Sequence, residues 1–199
     1  MDHGPGRHRG FTLVELLVVI VIILILAGLT GAAVSSARSS GKRRQTQALI
    51  AKIDAIVTNH FALISSRSIP ASAVGAGMSR DAIIRRQITA DLPDTWADAR
   101  AAAADPAQFP STAVRSYASV LQSFNPTDQY ADAECLFMIV MQGGIAGCVD
   151  CSELTSAEIG DIDNDRAPEF KDGWGNPVRF ILWPAGLELP IGQKFFVSP

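Results

Sequence analysis

The sequence predicts an α+β chain in which one long N-terminal helix, membrane-spanning in its first half, carries a small C-terminal domain of several short helices and a small antiparallel sheet. Three observations carry that expectation. Between Glu15 and Arg38 no charged residue occurs, and Leu16 to Ala37 consists almost wholly of Leu, Val, Ile, Ala and Gly. Further on, Leu49, Ile50, Ile53, Ile56, Val57, Phe61 and Ile64 recur at helical spacings of three and four. Near the C-terminus, Val178-Arg179-Phe180-Ile181-Leu182-Trp183 and Lys194-Phe195-Phe196-Val197 have the branched and aromatic content of strands.

The apolar run comes first in the chain. As a helix rising about 1.5 Å per residue, Leu16 to Ala37 is about 33 Å long, enough to cross a hydrocarbon core of about 30 Å. Glu15 sits at the start of this run. A carboxylate at mid-bilayer costs about 2.5 to 3.5 kcal/mol and less near an interface, so Glu15 either snorkels to the headgroups or has a partner. Before it lies a short basic leader, Met1 to Gly10 with Arg7 and Arg9, closed by a glycine and followed by Phe11.

At Gly10-Phe11-Thr12-Leu13-Val14-Glu15 and the span behind it, the chain resembles the type IV prepilins and the pseudopilins of type II secretion. The resemblance covers the first fifth of the chain and implies a pilin-like fold. It implies cleavage between Gly10 and Phe11 by prepilin peptidase and N-methylation of the new Phe11 amine. It further implies assembly with copies of the chain and other pilin-like subunits on an inner-membrane assembly platform. In that family the glutamate matching Glu15 attracts the N-terminus of a neighbouring subunit, which gives the carboxylate an opposite charge in low dielectric. Many type IV pilins carry a proline in the latter half of this helix; here none occurs between Phe11 and Ile69.

These readings divide the chain into a leader (residues 1–10), a transmembrane half-helix (11–37), an amphipathic half-helix (38–66) and an extracytoplasmic globular domain (67–199). The net charge of −3 hides an asymmetry: Arg38 to Lys52 holds five basic residues and no acid, while Asp128 to Asp172 holds eleven acids against Arg166 and Lys171. A nucleic-acid surface needs the reverse, a basic face on the folded domain. Lys42-Arg43-Arg44 just beyond the span would by the positive-inside rule hold the C-terminal domain in the cytoplasm, whereas the resemblance implies the opposite orientation. The apolar core is too long for an ordinary signal peptide, whose core runs about 7 to 15 residues.

Within the domain, helices are expected from Ser79 to Thr89, Thr95 to Ala104, Ser111 to Phe124, and from near Thr127-Asp128 through Met141 to Gly143-Gly144. The last is apolar all round in its later half and reads as buried in the core. Outside the cytoplasm Cys135 and Cys148 are candidates for a disulfide, since the glycines from Gly143 to Gly147 allow the chain to fold back. Free thiols remain an alternative, as does metal binding by Cys148-Val149-Asp150-Cys151, although no second pair completes a zinc site.

The most chemical stretch is acidic. Asp161, Asp163, Asp165, Glu169 and Asp172 match positions 1, 3, 5, 9 and 12 of an EF-hand calcium loop, with Arg166 where that loop needs glycine. Calcium is the one cofactor this pattern suggests, and a solvated acidic loop is the alternative. Directly after it, Asp172-Gly173-Trp174-Gly175-Asn176-Pro177 reads as a tight turn resembling the Asp-x-Trp-Gly-x-Pro turn of the major pseudopilins, and Trp174 is expected to pack against the long helix. In that family calcium is held nearer the C-terminus; here the tail after Trp183 has only Glu188 as an acid, so that site has no counterpart.

No catalytic set emerges. A nucleophile such as Cys148 or Ser152 needs a histidine, and after Phe11 the chain has only His60. The expectation is therefore a structural subunit of a type II secretion pseudopilus or type IV pilus-like filament, not an enzyme, and without nucleic acid as partner. The alternative is an uncleaved, signal-anchored extracytoplasmic binding domain that holds calcium or a partner without polymerising.

Overall fold

The protein is described by a computed structural model. It covers residues 11–67, 79–105, 108–109, 111–124, 126–142, 154–182 and 195–197. The chain divides into two compact units, Met1–Lys42 and Arg43–Pro199.

In the first unit the described residues belong almost entirely to helix α1, which runs Leu13–Ser65. Its apolar side chains from Leu13 to Leu29 are exposed on every side of the helix, with Leu24 and Leu29 both at 66%. Among the described residues α1 is the one helix long and apolar enough to cross a membrane. The hydroxyl of Thr30 donates to the carbonyls of Leu26 and Ala27 at 2.9 and 3.1 Å. A polar side chain satisfied by its own helix costs little in lipid, so Thr30 does not interrupt the span.

The second unit begins with the rest of α1. Leu49, Ile53, Val57, Phe61 and Ile64 are buried as a single stripe, and Ile50 and Ile56 flank it half-buried. Among the described residues four α-helices follow: α2 (Arg80–Asp91), α3 (Trp96–Ala104), α4 (Thr112–Val120) and α5 (Ala131–Gln142). Hydroxyl caps start three of them. Ser79, Thr95 and Ser111 accept from the amides of Ala82, Asp98 and Val114 at 3.2, 3.1 and 3.2 Å, satisfying donors that have no partner in the first turn. Helix α5 is the centre of the unit, packing against α3, α4 and strands β2 (Glu169–Phe170) and β3 (Arg179–Ile181). Its Cys135, Leu136, Met138, Ile139 and Val140 join the α1 stripe, Ile88, Leu92, Trp96, Tyr117 and Phe180 in one core.

Two antiparallel ribbons are present among the described residues. Strand β1 (Ile159–Gly160) pairs with β2, Ile159 opposite Phe170, and β3 pairs with β4 (Phe195–Val197), Phe180 opposite Phe196. Polar contacts lock the layers together. Asp91 pairs with Arg67, Tyr117 donates its hydroxyl to the Asp91 carbonyl at 2.7 Å, and the Leu182 amide donates to Asp94 Oδ2 at 3.1 Å. Lys52 of α1 reaches Glu158 at 3.7 Å, while Glu158 Oε2 accepts from the amide and hydroxyl of Thr155.

Several expected boundaries move. Helix α4 ends at Val120 rather than Phe124, and residues 121–123 form a turn. Helix α5 begins at Ala131 rather than near Thr127, because the amide and hydroxyl of Thr127 are bound to Asp165 and Asp163 instead of opening a helix. Trp174 is 49% exposed, and the turn reaches α1 through the Gly173 amide, which donates to Thr46 Oγ1 at 2.9 Å. The short β1–β2 ribbon was not foreseen, since two-residue strands carry no alternation to read. Gly143 to Gly147, Cys148 and Cys151 lie outside the described residues.

Truncating the stripe should unfold the second unit without touching the first. Ile53→Ala should lower the stability of that unit by about 2 to 5 kcal/mol, whereas Leu24→Ala should leave its urea midpoint unchanged. Urea titration of the full chain in detergent, followed by tryptophan fluorescence, checks both.

Candidate functional site

The N-terminal site is built on the first turn of α1. The Thr12 amide and hydroxyl both donate to Glu15 Oε2 at 2.8 Å, and the Glu15 amide donates to Thr12 Oγ1 at 3.2 Å. This is a reciprocal capping box: Thr12 caps the helix and the third helical residue, Glu15, reaches back to it. The carboxylate is thereby held one residue from Phe11, at the positive end of the helix dipole. Phe11 is exposed, and Gly10 lies outside the described residues. The role of Thr12 is missed when Glu15 is weighed as a lone charge, although Thr-x-x-Glu before an apolar run is its sequence signal.

A second cluster of chemistry stands in the domain, around the loop from β1 to β2. Asp161 accepts from the amides of Asp165 and Arg166 at 3.1 and 3.0 Å, and Asp165 accepts from the amide of Ala167 at 2.8 Å. The loop turns at Asn164 and Arg166, with φ of 64° and 78°. Arg166 thus adopts the left-handed conformation that an EF-hand gives to glycine, held there by Asp161. Carboxylate oxygens of Asp161, Asp163 and Asp165 lie within 4.8 Å of one another. Those of Asp163 and Glu169 also meet a residue the spacing did not suggest, Glu134 of α5, within the same distance.

Asp172, the expected twelfth-position ligand, is not brought into this cluster. Its Oδ1 accepts from the amides of Trp174 and Asn176, both at 2.8 Å, and its Oδ2 from the Asn176 side chain at 3.3 Å. The carboxylate is consumed in closing its own turn, where Gly175 at φ 90° permits the reversal. Glu134, not Asp172, stands beside Asp163 and Glu169. Its only sequence signal is an acid set one residue before the apolar run Cys135 to Met141.

Burial dominates the electrostatics. It pushes the Glu134 carboxyl up to about 8, helped by Asp165, Asp163 and Glu169 and opposed by the Trp96 indole, which donates to Glu134 Oε2. It pushes Glu169 up to about 7, opposed by the Ile162 amide at 3.0 Å and helped by Asp163, Asp161 and Asp165. Cys135 is a buried free thiol, and burial raises its pKa well above the ordinary value; Cys148, its expected disulfide partner, lies outside the described residues.

A carboxyl that binds its proton more tightly in the folded state favours folding at low pH and withdraws that contribution as pH rises through its folded value. In the presence of a chelator, the unfolding temperature of the domain should therefore decline between pH 4.5 and about 8. Glu134→Gln should remove the upper part of that decline. Thermal melts at a series of pH values check it.

Comparison with known families bears on the N-terminal segment. The model of the prokaryotic N-terminal methylation motif matches residues 6–31. No curated protein and no solved structure matches the chain. The match takes in Arg7 and Arg9 of the leader, Gly10, Phe11, the Thr12–Glu15 box and the apolar run as far as Gly31, and the motif implies processing by prepilin peptidase and assembly with pilin subunits in general. At its N-terminus, then, this chain carries the prepilin-type cleavage and methylation signal of type IV pilin-like and pseudopilin-type proteins.

Proposed function

We propose that the chain is a structural subunit of a type II secretion pseudopilus or type IV pilus-like filament. It would be made as a single-pass inner-membrane precursor with its C-terminal domain outside the cytoplasm. The observation that carries this reading is the methylation motif at residues 6–31, which runs into a helix whose apolar side chains from Leu13 to Leu29 are exposed. Such a helix must be covered by lipid before assembly and by other helices after it.

Residues 1–10 are the leader, 11–37 the membrane half of the helix, 38–66 its amphipathic half and 67–199 the outer domain. Cleavage after Gly10 places a new positive charge on Phe11, four residues from Glu15. Within one subunit Glu15 is tied to Thr12; in a filament the same carboxylate is placed to meet the Phe11 amine of a neighbour, where low dielectric strengthens the attraction. The role is mechanical rather than catalytic, and its partners are the peptidase, other pilin-like subunits and the assembly platform. Once oxidised outside the cytoplasm, the Cys135 thiol would bridge to Cys148 and tie α5 to the chain beyond it.

In a host with the prepilin peptidase, the mature chain should begin at methylated Phe11, and Gly10→Ala should retain Met1. Glu15→Ala should be processed yet form no filaments. Thr12→Ala loses the cap but keeps the carboxylate, and should still assemble. N-terminal sequencing and intact mass, with electron microscopy of sheared filaments, decide these outcomes. A Met1 start in every variant would instead make the chain a signal-anchored domain.

A further inference from the structure

Helix α5 buries Glu134 to 1% exposure and β2 buries Glu169 completely. A carboxylate taken from water needs partners for both oxygens, and here each has a partner for one. Glu134 Oε2 accepts from the Trp96 indole and Glu169 Oε2 from the Ile162 amide. The other oxygens, Glu134 Oε1 and Glu169 Oε1, are buried without any hydrogen bond, and Asp163 Oδ1 is in the same condition. These three residues are also the ones whose carboxylates converge within 4.8 Å. The charges facing Glu134 are those of Asp165, Asp163 and Glu169, all of its own sign.

We propose that Glu134, Asp163 and Glu169, with Asp161 and Asp165 completing the shell, bind one divalent cation of calcium's class. A cation gives each orphaned oxygen the partner it lacks and turns the mutual repulsion into shared attraction. The donors are all oxygens, with no imidazole or thiolate among them, which selects hard cations. Five carboxylates can supply the six or more oxygens that calcium takes at variable geometry, whereas magnesium demands a near-ideal octahedron and retains its waters. The chain is already shaped for this: Thr127 docks on Asp163 and Asp165, and Asp161 fixes the Arg166 turn. Bound cation ties the β1–β2 loop to α5, joining the edge of the domain to its central helix.

The competing account is that protons, not a cation, neutralise these carboxyls. To separate the two, the full chain in detergent micelles is melted with EDTA, with calcium chloride or with magnesium chloride. Calcium retained after gel filtration is measured by atomic emission. The expected result is one calcium per chain and a higher melting temperature in calcium than in EDTA, with a much smaller rise in magnesium. Glu134→Gln and Asp163→Asn should each abolish the rise while melting in EDTA no lower than the wild type, since each removes a repelling charge. No retained calcium and no rise would overturn the proposal, as would a rise that survives both substitutions or one that magnesium matches. None of these readouts requires cleavage after Gly10 or filament formation, so the site stands or falls apart from the filament reading.

Discussion

The burial of Leu49, Ile53, Val57, Phe61 and Ile64 is the constraint on which the second unit rests. These side chains lie along one line of α1, so whatever covers them must present a matching apolar row. The α5 residues Cys135, Leu136, Met138, Ile139 and Val140 lie in the same core, and because α5 also packs against α3, α4, β2 and β3, most of its length is apolar. The two ribbons are too short to hold themselves together and persist because Phe170 and Phe180 are buried in the same core.

A helix buried on nearly all sides leaves little room for a charge, and this makes Glu134 the unusual residue of the domain. Its neighbours in the sequence are committed to the core, so it cannot turn toward water. The Trp96 indole answers one oxygen, and the acidic loop, rather than a basic residue, faces the other. Folding has placed like charges together where burial makes repulsion most costly. That arrangement is stable only with a proton or a cation among them.

The first unit obeys a different rule. Its helix is apolar all round from Leu16 to Leu29, and Glu15 stands at the very start, tied to Thr12. Backbone donors at a helix start need acceptors, and the capping box supplies them, so Glu15 serves local structure before any partner arrives. The same geometry keeps the charge beside Phe11. Local capping and the intermolecular role inferred for Glu15 use one carboxylate at one place, and the two uses do not conflict.

Much was determined by the sequence alone, because the deciding physics was local. The apolar run needs only composition, the α1 stripe only a period of three to four, and the helix starts only a hydroxyl three residues before an open amide. Gly10, Phe11 and Glu15 belong to a short linear motif and were legible for the same reason. The tertiary structure decided what depended on residues far apart in the chain. It drew Thr127 out of α5 to meet Asp163 and Asp165, spent Asp172 on its own turn, left Trp174 exposed and brought Glu134 to the acidic loop. A carboxylate spacing shows which oxygens can converge; only the packing of α5 against β2 determines which of them are deprived of water and left without a partner.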